Sequence, residues 1–167
     1  PGMQIEELLG VDDDATTRLW SFCFNVDLMT SFEIKNRPCD DPLLWTVSNP
    51  RGISRSIRDG MWLRLIDVQR ALSSRNYSAE EELIIDVRDK FCDWNSGRYK
   101  LATGINNAEC TRTNDDQDLI ISAQDLASVY MGAVQPRSLY RSGRIEATSP
   151  EAISRADRMF AWHTQPW

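Results

Sequence analysis

EELIIDVRDKFCDWNSGRYKLATG, residues 81–104, reads as two strands, EELIIDVRD and GRYKLATG, on either side of the turn DKFCDWNSG. Working outward, NNAECTRT (106–113) reads as a partner strand and DLIIS (118–122) as a short buried one. Upstream, MWLRLIDV (61–68) alternates with period two and is expected as a further strand, followed by a short helix over VQRALSSRNY with Val68 and Leu72 on one side. Three helices follow the strands. In SAQDLASVYMG, Ser122 is the N-cap, Leu126, Val129 and Tyr130 form the apolar face and Gly132 is the stop; QPRSLYRSG runs from Pro136 to Gly143. In SPEAISRADRMFAW, Ser149 is the cap, with Ile153, Ala156 and Phe160 on one stripe. Strands first and helices later predicts an α+β fold: a single mixed or antiparallel sheet of about five strands with helices packed on one face.

The first 58 residues read differently. DATTRLWSFCFNV is expected to be a helix, with Asp14 as N-cap and Leu19, Phe22, Cys23 and Val26 as its apolar positions. DLMTSFEIKN then alternates as a half-buried strand. One helix and one strand cannot bury both of their faces alone, so residues 1–35 look like the end of a unit whose other strands lie elsewhere. Pro38, Pro42 and Pro50 break residues 36–58 into turns around a brief helical patch at PLLWTVS, a connection between two units.

A chain of 167 residues with 41% hydrophobic content can fill a core without staples. The net charge of −6 argues against nucleic acid or an anionic membrane as partner, because both are bound through an excess of Lys and Arg. No apolar run is long enough to span a bilayer, and PGMQIEELLG is not a signal peptide. It does not start with Met, which is expected of a tag remnant or of a piece cut from a longer chain. Cys23, Cys39, Cys92 and Cys110 form no CxxC pair, and His163 is the one histidine, so no zinc site is expected and the thiols are read as idle in a reducing cytoplasm.

Neither a Walker loop nor a dinucleotide-binding glycine turn occurs, and no glycine-rich, basic strand-to-helix turn offers amides to a pyrophosphate. Asp115, Asp116 and Asp118 lack the spacing of a calcium loop and read as a solvated turn. His163 reads as a surface or helix-end residue, and most of the tryptophans at 20, 45, 62, 94, 162 and 167 read as core. RDGMWLRLIDV (58–68) admits two readings: an edge strand whose Arg64 and Asp67 make surface ion pairs, or a strand whose Asp59 and Trp62 help line a cleft. A carboxylate beside an indole suits a cationic amine, through charge pairing and attraction to the ring face.

DDPLLWTVSNPR, RDGMWLRLIDVQRAL, LIIDVRDKFCDWNSGRYKL, DLASVYMGAVQPRSLYRSGRI and SRADRMFAWHTQPW occur in the order and spacing that resembles the C-terminal part of the Eis-type (enhanced intracellular survival) N-acetyltransferases. The resemblance runs from about Leu19 to Trp167. It implies a parent of three parts: an N-terminal GNAT domain, a central GNAT-like domain and a C-terminal domain with the sterol-carrier-protein fold. On this basis residues 1–50 are expected to be the last helix and strand of the central domain plus a linker, and 51–167 the sterol-carrier-like domain. It further implies a homo-oligomer, commonly a hexamer. The parent's substrates would be amines, namely aminoglycosides, lysine or polyamine-like groups, and acetyl-CoA would be held by the missing N-terminal GNAT domain. Proton chemistry in the family is attributed to a tyrosine of that domain and to the carboxylate of the last residue; this chain stops at QPW, so neither group is assigned a position and no catalytic, cofactor-binding or metal residue is expected here. Asp59 and Trp62 match a segment bordering the amine pocket and are the candidate substrate contacts. A free-standing sterol-carrier-like module holding an apolar ligand is the alternative.

Overall fold

In the computed structural model, which describes residues 1–104 and 107–163, the chain divides into two units between Gly60 and Met61. The first unit is built on a strand, a helix and a strand: β1 (Gly2–Ile5), α1 (Asp13–Phe24) and β2 (Ser31–Ile34). β1 and β2 pair in parallel, with Met3 opposite Phe32 and Ile5 opposite Ile34. β1 has no counterpart in the sequence expectations, because four residues are too few to show a period. The N-cap of α1 is Asp12, whose carboxylate accepts from the Ala15 amide at 2.7 Å, and not Asp14. Its buried residue is Trp20, stacked on Phe24, whereas Leu19 and Phe22 of the expected apolar stripe are exposed. Arg37 ties this unit together by donating to the carbonyl of Leu8 and to Asp41, which in turn caps the first turn of α2 (Leu43–Thr46) through the Leu43 amide.

The second unit opens with α3 (Val68–Ser74), followed by β3 (Glu82–Arg88), β4 (Gly97–Gly104), β5 (Asn107–Arg112) and β6 (Leu119–Ser122). The helices α4 (Ala123–Tyr130), α5 (Pro136–Arg141) and α6 (Pro150–Phe160) follow, with β7 (Ile145–Ala147) between the last two. The described strands form one five-stranded sheet in the order β5-β4-β3-β6-β7, antiparallel except for the parallel β3–β6 pair. Leu83, Ile85 and Val87 of β3, Tyr99 and Leu101 of β4, and Leu119 and Ile121 of β6 alternate into a single core. Val68 and Leu72 of α3, Leu126 and Val129 of α4, and Ile153, Ala156 and Met159 of α6 fill the same core, which gives the expected sheet with helices on one face. Ser122 and Ser149 cap α4 and α6 as the sequence predicts. Asn106, at the start of the expected partner strand, lies outside the described residues, as does Trp167.

One strand is reassigned. MWLRLIDV is not a strand: residues 53–65 have no regular structure, and Asp67 caps α3 by accepting from the Arg70 amide at 2.9 Å. Its alternation misleads because Leu65 O, Ile66 O and Val68 N are taken by side chains of a turn, described below, and not by a neighbouring strand. The fifth strand is β7, three residues long and hidden between helices.

Candidate functional site

Asp59 and Trp62 both lie on this irregular stretch and both are exposed, Trp62 to 87%. Asp59 belongs to the first unit and Trp62 to the second. Arg64, which one reading made a surface ion-pair partner, reaches instead into the turn between β3 and β4, where its Nη2 donates to Asp89. Asp89 is buried, and its Oδ1 also accepts from the amides of Phe91 and Cys92, each at 2.9 Å. Burial alone would raise this carboxyl, but the amides of Cys92 and Phe91, the Asn95 side chain and the Arg64 guanidinium outweigh it and hold the pKa near 2, against an ordinary 3.8. Asn95, also buried, accepts from the Val68 amide at 3.1 Å and donates to the Leu65 carbonyl at 3.0 Å; Trp94 Nε1 donates to the Ile66 carbonyl at 2.8 Å. The sequence reading named DKFCDWNSG only as a turn. Its signal was an Asp followed by backbone amides two and three residues on, the pattern of a side chain closing its own loop.

The remaining candidates resolve into structural roles. Asp118 accepts from the Ile84 amide and pairs with Arg155, whereas Asp116 points to solvent beside Arg98, so the three aspartates do not converge. Among the described residues no group of His, Cys, Asp and Glu could hold a metal ion. Cys92 and Cys110 are buried and Cys39 is exposed, and all four thiols are free; burial pushes the Cys110 thiol up to about 12. Of the described tryptophans only Trp20 is buried, which corrects the expectation that most are core. A shallow depression lined by Gly97, Arg98, Arg112, Thr113 and Asn114 carries two guanidiniums, but these already donate to the carbonyls of Asn114, Asp115, Ser96 and Trp94. They are tethers for the loop, not a prepared anion site.

Comparison with known proteins supplies the rest. The sterol carrier protein domain family matches residues 68–167, and the acetyltransferase (GNAT) domain family matches residues 1–65. An uncharacterized N-acetyltransferase of Streptomyces avermitilis is 37% identical over 163 residues, 98% of this chain and 40% of that protein. N-acetyltransferase Eis of Mycobacterium tuberculosis is 30% identical over 162 residues, 95% of this chain and 39% of that protein. The crystal structure of Eis1 from Mycobacterium abscessus superposes with a TM-score of 0.86 at 34% identity, covering 100% of this chain and 43% of that one. The chain belongs over residues 68–167 to the sterol carrier protein domain family, and as a whole it is similar to part of the Eis-type GNAT N-acetyltransferases. It spans about 40% of the length of the curated relatives it matches.

GNAT acetyltransferases use acetyl-CoA, whose pyrophosphate needs unoccupied backbone amides and no nearby carboxylates. The three described helices of eight residues or more in this chain fail that test. The first turns of α1, α4 and α6 carry Asp13 and Asp14, Asp125, and Glu151 respectively, and the cap side chains Asp12, Ser122 and Ser149 each already accept from one first-turn amide, those of Ala15, Asp125 and Ala152. These three helix starts do not fit the cofactor's pyrophosphate. No described helix is long and apolar enough to cross a membrane.

Proposed function

We propose that this chain is the C-terminal portion of an acetyl-CoA-dependent N-acetyltransferase acting on amines: aminoglycosides, lysine or polyamine-like groups. In this reading it supplies a wall of the amine pocket and surfaces for a homo-oligomer, works in the cytoplasm and does not catalyse alone. The acetyl-CoA chemistry belongs to a GNAT domain outside this sequence. The observation that carries the reading is the match to N-acetyltransferases over 98% of the chain, set beside helix starts crowded with carboxylates. Asp59 and Trp62 are the proposed substrate contacts. Each is proposed by itself: a carboxylate such as Asp59 pairs with an ammonium group, and the face of an indole such as Trp62 attracts one by roughly 0.5–2 kcal/mol.

A domain exchange tests this. In Mycobacterium tuberculosis Eis, the matched 162 residues are replaced by this chain and acetyl transfer to spermidine and to an aminoglycoside is followed. The exchanged enzyme is expected to turn over, and Asp59→Asn and Trp62→Ala are each expected to raise the KM for the amine about threefold or more while kcat stays within about twofold. An unchanged KM in both variants would remove these residues from the amine site.

The match of residues 68–167 to the sterol carrier protein domain favours a second reading, an apolar ligand held by this domain. Fold by itself does not carry that function. The side chains between sheet and helices, such as Leu72, Leu83, Leu101 and Met159, are fully buried against one another. Mass spectrometry of the purified protein decides it: a co-purifying lipid at one per chain would favour the carrier reading.

A further inference from the structure

The irregular segment Arg64–Val68 is held by one turn through four hydrogen bonds. Arg64 donates to Asp89, Asn95 donates to Leu65 O and accepts from Val68 N, and Trp94 donates to Ile66 O. The turn is itself stiff, since the Asp89 carboxylate gathers the Phe91 and Cys92 amides and the Asn95 side chain, and Ser96 Oγ bridges the Asp89 amide and carbonyl. Arg64 also lies over the Phe91 ring at 4.9 Å. Segments without strand or helix partners ordinarily open at little cost. Here the backbone just after an 87% exposed indole is tied to the central hairpin of the sheet instead.

We propose that the turn Asp89–Asn95 is a positioning device for Trp62, holding the Arg64 side chain two residues downstream and the backbone from Leu65 onward, so that the segment carrying the indole is ordered before a cationic amine arrives. The inference rests on the reading that Trp62 contacts the amine. Attraction between a cation and a ring needs the charge over the ring face, within about 6 Å of its centre. Ordering that face before binding removes an entropic cost that a free side chain on a mobile segment would meet at each encounter. Asp89, Trp94 and Asn95 act only through the segment and are positioning residues, not contacts.

The test uses the 167-residue chain labelled with 15N, spermidine as probe, and the variants Trp94→Phe and Asn95→Ala. Trp94 is 63% exposed and loses one hydrogen bond on substitution, so that variant keeps its fold even if Asn95→Ala does not. Two quantities are read: the backbone 15N order parameters of residues 62–67 without amine, and the shift of the Trp62 indole N–H on titration, assigned with Trp62→Phe. Spermidine is expected to shift this resonance in the unsubstituted chain. Trp94→Phe should lower the order parameters at 62–67 from about 0.85 to below about 0.6 while leaving Leu83–Val87 unchanged, and should weaken spermidine binding about threefold or more. Unchanged order parameters at 62–67, or lower ones with unchanged spermidine affinity, overturn the positioning role and leave the amine reading standing. No spermidine-induced shift of Trp62 in the unsubstituted chain overturns the amine reading and this inference with it.

Discussion

The guanidinium of Arg75 donates to the carbonyl oxygen of Phe160 at 2.9 Å. Its Nε donates to Tyr130 O at 2.8 Å and its Nη1 to Met159 O at 3.3 Å, so one side chain closes the C-terminal ends of both α4 and α6. The rings of Tyr77, Phe160 and Trp162 surround the same charge, with centroids 4.6, 5.2 and 5.9 Å away. Helix carbonyls left without intrahelical partners carry partial negative charge, and a half-buried cation that satisfies several of them is a strong tie. Removing it leaves those acceptors unpaired.

Arg75→Met is therefore expected to destabilise the second unit by about 2–4 kcal/mol, with Arg75→Lys falling between it and the unsubstituted protein because an ammonium cannot fork to carbonyls on two helices. Urea unfolding followed by circular dichroism measures both. Equal stability of the Lys variant and the original would contradict the forked geometry.

Gly132 and Gly143 separate backbone strain from contact. Both have positive φ, +84° and +74°. A Cβ on Gly132 would lie 2.7 Å from the Trp162 Cβ, while one on Gly143 meets nothing within 4 Å. Gly143→Ala is expected to cost about 1–2 kcal/mol from the left-handed backbone alone, and Gly132→Ala clearly more. Thermal unfolding of the two variants side by side reads the difference.

Acid should loosen the turn between β3 and β4. The Asp89 pKa is depressed in the folded state from 3.8 to about 2. A depressed carboxyl stabilises the fold above its unfolded pKa, and the contribution is lost as pH falls from about 4 towards 2. Urea midpoints measured between pH 5 and 2 should fall more steeply for the unsubstituted chain than for Asp89→Asn, which starts lower. Parallel pH profiles would contradict the shift.

Much of this fold was legible in the sequence where period and caps agreed. The β3–β4 hairpin showed through the alternation of Leu83, Ile85 and Val87, and α4 and α6 through Ser122 and Ser149. Illegible were the elements set by distant partners. β1 and β7 are four and three residues long, too short for a period, and exist through pairing with β2 and β6. Residues 61–67 alternate like a strand, yet the carbonyls of Leu65 and Ile66 go to Asn95 and Trp94 and not to a ladder. The candidate contacts were found as residue types, Asp59 and Trp62. The turn that anchors the segment was not, because its bonds join positions about 25 to 30 residues apart, such as Arg64 to Asp89 and Leu65 to Asn95, and no local pattern records them.

Core packing offers a control. Leu72 is fully buried between α3 and the sheet, and Leu72→Ala should cost about 2–5 kcal/mol through the cavity it leaves. Exposed Trp45→Ala in the first unit should change stability by less than about 0.5 kcal/mol. Comparable losses from both would contradict the burial assigned to them.

Acetyl transfer by the isolated chain bears most directly on the account. The 167-residue protein is incubated with acetyl-CoA and spermidine, and acetylated product is followed by mass spectrometry. Helix starts already filled by Asp12, Ser122 and Ser149 predict product no faster than in buffer. Sustained, saturable turnover that survives further purification would contradict the claim that this chain shapes an amine site whose acetyl-CoA chemistry lies elsewhere.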